Sequence, residues 1–118
     1  MQKVMRAVWA AAAGATAAMV MAAPALAAGP TYPVNSPYEC HPNSVCVWEE
    51  PEFIGQGVGH LDPDPNRCYS GQVQSLVNRV PGYVIVFDDP QCQWPIVRVA
   101  PDELRPFVPG QSWMYQPF

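Results

Sequence analysis

The four cysteines are the residues with the most reactive side chains in this sequence. Cys40, Cys46, Cys68 and Cys92 make an even number in a short chain, which is typical of an exported domain with two disulfide bonds. A zinc site is the alternative, but the chain has neither the C-x-x-C nor the H-x3-H spacing of such sites. Of the three possible pairings we favour Cys40–Cys46 and Cys68–Cys92, because Pro42-Asn43 is good turn material between the first two.

Residues capable of acid–base chemistry are present, but their pattern does not predict a catalytic site. His41 and His60 are the only histidines, and neither lies in a G-x-S-x-G or H-E-x-x-H motif. Glu49 and Glu50 are adjacent, and neighbouring side chains on a strand point apart. The two aspartates of the loop at 61–66 are more simply explained as solvated than as ion ligands. We therefore predict that the protein is not an enzyme and has no cofactor or metal.

The N-terminal segment has the composition of a secretory signal. Two basic residues precede an apolar run from Ala7 to Ala23, and Ala25-Leu26-Ala27 then offers small residues at the cleavage positions. We predict a signal peptide over residues 1–27 and a secreted, extracellular chain over residues 28–118. The alternative is an uncleaved membrane helix, for which the apolar run is short.

The secreted chain would be small and acidic. Residues 28–118 contain four arginines, no lysine and ten carboxylates, which gives a formal net charge of −6. Nucleic-acid binding requires clustered Lys or Arg, and anionic membranes attract basic segments, so we expect neither partner. A chain of this length forms one domain with a modest core, and we expect a monomer.

The elements that must position these residues are predicted to be short β-strands. Segments rich in β-branched and aromatic residues lie between turn sequences at 45–48, 53–60, 73–80, 83–87 and 96–99. Fourteen prolines in residues 28–118 would interrupt most helices. The sequence thus predicts an all-β sandwich or small barrel. We expect a Pro-rich, flexible or extended leader at 28–39, and an aromatic C-terminal tail at 109–118 that covers an open edge or else binds a partner.

Two segments of the chain share one pattern of residue types. Val47–Phe53 and Val86–Cys92 each contain a β-prone residue, an aromatic, two acids, a proline, a polar residue and a residue of a buried type. Each follows a predicted strand, which favours two related hairpins and a domain of two similar halves. Chance is the alternative, since acid-acid-Pro is common turn chemistry.

The first of these segments resembles the signature of a βγ-crystallin Greek-key motif. Trp48, Phe53 and Gly55 match its aromatic-x4-aromatic-x-Gly spacing, and Ser75 resembles the serine that locks the same hairpin. Physically, the glycine permits a backbone conformation that other residues avoid, the aromatics pack around the fold, and the hydroxyl bonds backbone groups that have lost ladder partners.

The order of these features is similar to that of a secreted bacterial peptidase inhibitor family, the one related to the streptomycete metalloproteinase inhibitor. The similarity covers about residues 40–108, including the C-x5-C spacing of Cys40 and Cys46. It implies a small, disulfide-stabilised sandwich of two βγ-crystallin-like Greek keys. The second half departs from the pattern, because Cys92 occupies an aromatic position and Trp94 stands where the glycine is expected.

The resemblance implies inhibition of extracellular metalloproteinases by a rigid surface loop, which loses little entropy on docking. The family's reactive bond lies in a small disulfide loop in the second half, whereas the only short cysteine loop here is near the front. The predicted contact loop is therefore His41, Pro42, Asn43 and Ser44, and a structural clasp is the alternative for it. Residues 70–75, where related domains bind calcium, contain no carboxylate. The alternative function is a non-inhibitory, crystallin-like binding or structural module.

Overall fold

A computed structural model describes residues 30–118, and the predicted signal peptide lies outside the described residues. The described chain contains nine strands, numbered here in chain order: β1 Thr31–Val34, β2 Ser44–Trp48, β3 Gly57–Leu61, β4 Tyr69–Val73, β5 Ser75–Asn78, β6 Gly82–Phe87, β7 Pro95–Val99, β8 Leu104–Arg105 and β9 Gly110–Pro117. Two single turns of 3-10 helix, Pro37–Glu39 and Pro51–Phe53, follow β1 and β2.

The strands form two antiparallel sheets, which confirms the prediction of a small disulfide-stabilised β-sandwich. The first sheet has the order β1-β3-β2-β5-β8, and the second has the order β4-β9-β6-β7. The third strand of each half belongs to the sheet of the other half: β4 pairs with β9, and β8 pairs with β5. The two halves, β2–β5 and β6–β9, therefore exchange one strand each.

Apolar clusters cover both faces of the first sheet. Side chains alternate between the faces of a strand, so β2 directs Val45 into the cluster between the sheets and Cys46 and Trp48 into a second cluster on the outer face. The cluster between the sheets also contains Leu76, Val84, Val86, Val99 and Trp113. The outer cluster is completed by Val34, Cys40 and Val77.

Both ends of the described chain are more ordered than the sequence suggested. Residues 31–34 of the predicted leader form β1, an edge strand paired with β3, where Pro33 is tolerated because a proline on an edge strand need not donate to a second neighbour. The predicted tail forms β9, which pairs with β6 on one side and β4 on the other. Trp113 is buried there, so this segment is an inner strand of the second sheet and not a cover over its edge.

The alternating glycines of β3 provide space for aromatic rings on the outer face. A Cβ atom on Gly57 would lie 2.6 Å from the Trp48 ring, and one on Gly59 would lie 2.3 Å from the Tyr32 ring. Both distances are well below van der Waals contact, so any larger residue would displace a ring. Glycine within a strand often marks such a close approach, and these two contacts account for Gly57 and Gly59 in β3.

Candidate functional site

A buried serine fixes the hairpin between β2 and β3. The Ser75 hydroxyl donates to the carbonyl of Glu50 at 2.7 Å and accepts the N–H of Phe53 at 3.0 Å. The rings of Trp48 and Phe53 meet edge to face with centroids 5.1 Å apart. Gly55 has a φ of 82°, a conformation that favours glycine. Trp48, Phe53 and Gly55 therefore lie in one folded hairpin, and Ser75 of β5 fixes it.

The hairpin between β6 and β7 repeats this arrangement with different residues. The Ser112 hydroxyl donates to the carbonyl of Asp89 at 2.5 Å, and Ser112 is fully buried, as Ser75 is. Cys92 has a φ of 57°, nearly equal to the 58° of Phe53. In place of a second aromatic contact, Cys92 is bonded to Cys68, which immediately precedes β4. A covalent bond thus holds the turn where the first half uses ring packing.

One carboxylate organises the turn between β6 and β7, residues 88–94, which we call the 88–94 turn. Asp89 accepts the N–H groups of Gln91, Gln93 and Trp94 at 2.8–2.9 Å. Partial desolvation raises the pKa of Asp89, but these backbone hydrogen bonds outweigh it and place the pKa below its ordinary value. The ionised carboxylate is therefore the form that stabilises the turn.

Hydrogen bonds fix the backbone of the 88–94 turn, whereas several of its side chains are exposed to solvent. Ser70 donates to the carbonyl of Pro90 at 2.6 Å, and the N–H of Asp88 donates to the carbonyl of Trp94 at 2.8 Å, which closes the hairpin. The Trp94 side chain is nevertheless 68% exposed, and Gln91 and Gln93 are exposed beside it. An aromatic side chain therefore stands in solvent on a rigid backbone.

The loop enclosed by the Cys40–Cys46 disulfide is a tight turn. Asn43 has a φ of 62°, its N–H donates to the carbonyl of Arg79, and its own carbonyl accepts the N–H of Asp62, both at 2.9 Å. The His41 ring stacks on Tyr32 with centroids 4.3 Å apart. Of the predicted contact residues, His41, Pro42 and Asn43 are exposed.

Ser44 differs from the other predicted contact residues because it is fully buried. Its carbonyl accepts the N–H of Arg79 at 2.8 Å, and Arg79 also donates to the carbonyl of Cys40 at 2.9 Å. Ser44 is the first residue of β2, whose pairing with β3 and β5 covers it. The backbone at this end of the loop is therefore held inside the sandwich.

The remaining residues considered for chemistry lie in separate places. His60 is half-buried and meets the rings of Tyr69 and Trp113 at centroid distances of 5.3 and 5.0 Å; burial lowers its pKa. Asp64 pairs with Arg67 at 3.1 Å. Within residues 30–118 no group of three or more His, Cys, Asp or Glu side chains could hold a metal ion.

Comparison with known protein families agrees with this architecture. Residues 34–99, more than half of the chain, match peptidase inhibitor family I36. The chain therefore belongs to this family, and membership supports a function in peptidase inhibition. No curated protein and no solved structure matches the chain. Among the described residues, no helix is both long and apolar enough to span a membrane.

Sequence reasoning missed Ser112 and the role of Asp89, although both left a signal. Gln111-Ser112-Trp113 has the same order of a glutamine, a serine and a large apolar residue as Gln74-Ser75-Leu76. Asp89 follows the aromatic of its repeat by two residues, as Glu50 follows Trp48. A comparison of the two halves that continued past the first turn would have matched Ser112 with Ser75 and Asp89 with Glu50.

Proposed function

We propose that this protein is a secreted inhibitor of an extracellular metalloproteinase, built on a crystallin-like scaffold of two Greek keys. We further propose that it contacts the enzyme through the 88–94 turn. The observation that supports this choice of surface is the 68% exposure of Trp94 on a turn that is held by the Cys68–Cys92 disulfide and the Asp89 carboxylate. Membership of peptidase inhibitor family I36 supports the general function.

The properties of the turn are those that an inhibitor needs. A contact segment that is already fixed loses little conformational entropy when it docks. Tryptophan is enriched among the residues that contribute most binding energy in interfaces, because its large ring buries much apolar area. Trp94 is more exposed than any other tryptophan among the described residues, since Trp48 and Trp113 are buried.

The loop formed by His41–Ser44 is the less suitable of the two surfaces. A contact surface needs a large side chain that is free to enter a pocket of the enzyme. The His41 ring of this loop is already stacked on Tyr32 with centroids 4.3 Å apart, whereas the Trp94 ring is largely in solvent. We propose that this loop is a structural clasp and that the exposed His41 ring makes at most a peripheral contact.

Titration of purified residues 28–118 against three proteases tests this proposal. A thermolysin-type metalloproteinase is compared with a trypsin-like and a subtilisin-like enzyme at equal active-site concentration. We expect stoichiometric loss of the metalloproteinase activity alone. Loss of one of the serine protease activities instead would contradict the proposed target and leave inhibition standing.

A non-inhibitory extracellular binding or structural module is the second candidate. The observation that favours it is the number of backbone groups in the 88–94 turn that are bonded within the molecule, including the carbonyls of Asp89 and Pro90. Such a turn offers side chains but little free backbone to an active site. Intact protein at micromolar concentration that affects none of the three proteases would support this candidate.

A further inference from the structure

A hollow of about 640 Å³ lies between the first sheet and the edge of the second. The segment 67–73, which contains β4, lines it without a break. In contrast, β2 contributes Val47, and β3 contributes Val58 and His60, with one residue skipped between them. Alternate residues line a hollow when a strand presents a face, and consecutive residues line it when a strand presents its edge. The hollow is therefore a groove between the inner face of the first sheet and the free edge of β4.

The second sheet covers only part of the first sheet. Its order ends at β4, while the first sheet continues from β2 to β3 and β1. Val58 points toward the space between the sheets, like its partner Val47, yet it is 42% exposed. Pro33 of β1, which pairs with Val58 of β3, is also exposed. One further strand beside β4 would cover the apolar surface that the second sheet leaves open.

β4 contains neither the proline nor the charged residue that often prevents strand addition at an edge. Edge strands are commonly blocked by proline, by charge or by short length: β1 contains Pro33, β7 contains Pro95 and Arg98, and β8 has two residues. The central residues of β4 are Ser70, Gly71 and Gln72, which are uncharged and exposed.

Gly71 leaves the face of β4 open at the middle of the strand, since a Cβ atom built on it would meet no atom within 4 Å. The irregular register with β9 places Gly71 and Gln72 opposite the single residue Gln111. A bulge of this kind leaves one residue of the strand outside the ladder with β9.

The rim of the groove is negatively charged. Glu49 and Glu50 both line it and both are exposed. Arg67 also lines it, but its guanidinium pairs with Asp64 at 3.1 Å and lies over the Tyr69 ring. The charge that a ligand would meet at the rim is therefore that of the two glutamates, which complements a basic side chain.

We propose that this groove binds an extended peptide segment of a partner protein, which adds to the free edge of β4 as an antiparallel or parallel strand. An apolar side chain of the segment covers Val58, and a basic side chain faces Glu49 and Glu50. Main-chain hydrogen bonds provide affinity in this mode, and alternate side chains provide specificity. The proposal does not rest on the inhibitory function, because no residue of the 88–94 turn lines the groove.

Nuclear magnetic resonance titration with synthetic peptides tests the proposal. The probe is an acetylated, amidated hexapeptide of alternating valine and arginine. We expect saturable binding of one peptide per chain, with shifts and at least about tenfold slower hydrogen exchange confined to the β4 edge at residues 70–72 and to the facing residues of β3. A peptide with glutamate in place of arginine should bind more weakly. The valine–arginine peptide methylated on alternate backbone nitrogens should also bind more weakly.

Single substitutions on one hairpin provide matched controls for the charge. Glu49→Gln and Glu50→Gln should each weaken binding by about two- to fivefold. Glu52→Gln, which removes an exposed carboxylate of the same hairpin outside the groove, should leave binding unchanged. Absence of shifts at the β4 edge up to millimolar peptide, or equal binding of the methylated peptide, would overturn the proposal. So would slow exchange at residues 70–72 that grows with protein concentration without peptide, because a second copy of the chain would then be the occupant.

Discussion

The hydroxyl of Ser112 donates to the carbonyl of Asp89, 23 residues earlier in the chain, at 2.5 Å. Ser75 makes the same bond to Glu50 in the first half. Each serine is fully buried and each accepting carbonyl belongs to the turn that follows the first strand of its half. The internal repeat therefore reproduces one arrangement. In each half, a buried serine on the last strand bonds the first hairpin and fixes it.

Replacing Ser112 with alanine should destabilise the protein by about 1–2 kcal/mol. The substitution removes the only side chain that bonds the Asp89 carbonyl among the described residues, and a buried polar group without a partner is costly. Ser70→Ala, which removes an exposed hydroxyl from the Pro90 carbonyl, is the control, because water can replace it. Urea denaturation measures both, and an equal loss in the two variants would contradict the buried-bond interpretation.

The stability of the 88–94 turn should depend on the ionisation of Asp89. Its pKa in the folded protein is depressed by backbone hydrogen bonds, so its stabilising contribution is present above its unfolded pKa of about 3.9 and is lost as pH falls through the lower folded value. Asp89→Asn should therefore remove part of the decrease in unfolding free energy between about pH 5 and pH 2.

The neighbouring Asp88→Asn variant is the matched control for this pH dependence. Glu103 also has a lowered pKa, chiefly because Arg105 donates to it, so wild-type stability will fall with acid even without Asp89. The informative quantity is the difference between the two variants across the pH range. Identical acid profiles for Asp88→Asn and Asp89→Asn would exclude a role for the Asp89 carboxylate.

Removing the Cys68–Cys92 disulfide should cost about 3 kcal/mol of stability, roughly 1 kcal/mol more than removing Cys40–Cys46. The Cys68–Cys92 bond joins residues 24 apart, whereas the Cys40–Cys46 bond joins residues 6 apart. A longer closed loop restricts the unfolded chain more. The double alanine variants of each pair are compared by guanidinium denaturation. A larger loss from the Cys40–Cys46 pair would contradict the chain-entropy explanation.

Trp94→Ala should weaken inhibition by at least about thirtyfold while leaving stability nearly unchanged. The side chain is largely in solvent, so its removal creates no cavity, whereas a central interface tryptophan often contributes 2 kcal/mol or more. Ile54→Ala removes a side chain of comparable exposure from the other hairpin and is the control. Inhibition constants and melting temperatures are measured for both; an unchanged constant for Trp94→Ala would remove the 88–94 turn from the contact surface.

The hairpins could be predicted from sequence because their determinants are local. The spacing of Trp48, Phe53 and Gly55 specifies a turn within eight residues, and the acid-acid-Pro pattern marks its partner in the second half. Ser112 was not predicted, because position 92, where the motif has an aromatic residue, is a cysteine. A disulfide to Cys68 takes over the holding function, and no spacing rule links the two.

The ends of the domain could not be predicted because their partners are distant in sequence. Thr31–Val34 becomes a strand only by pairing with β3, and its own composition reads as a linker. Gly110–Pro117 has the terminal position of a tail, yet it pairs with β6 and β4. Trp113 stacks on Tyr69 with centroids 4.3 Å apart, a contact between residues 44 positions apart. The groove beside β4 could not be predicted either, because it depends on how the two sheets pack.

The exchange of β4 and β8 between the sheets affects what happens when the chain is cleaved by a protease. A cut in the exposed connection at Pro81, between β5 and β6, would separate the two halves of the backbone, but each piece would still contribute a strand to the sheet of the other. The bond between Cys68 and Cys92 would also join the pieces covalently. Such a nicked molecule should unfold as one cooperative unit and re-form its surface, which suits a member of a peptidase inhibitor family.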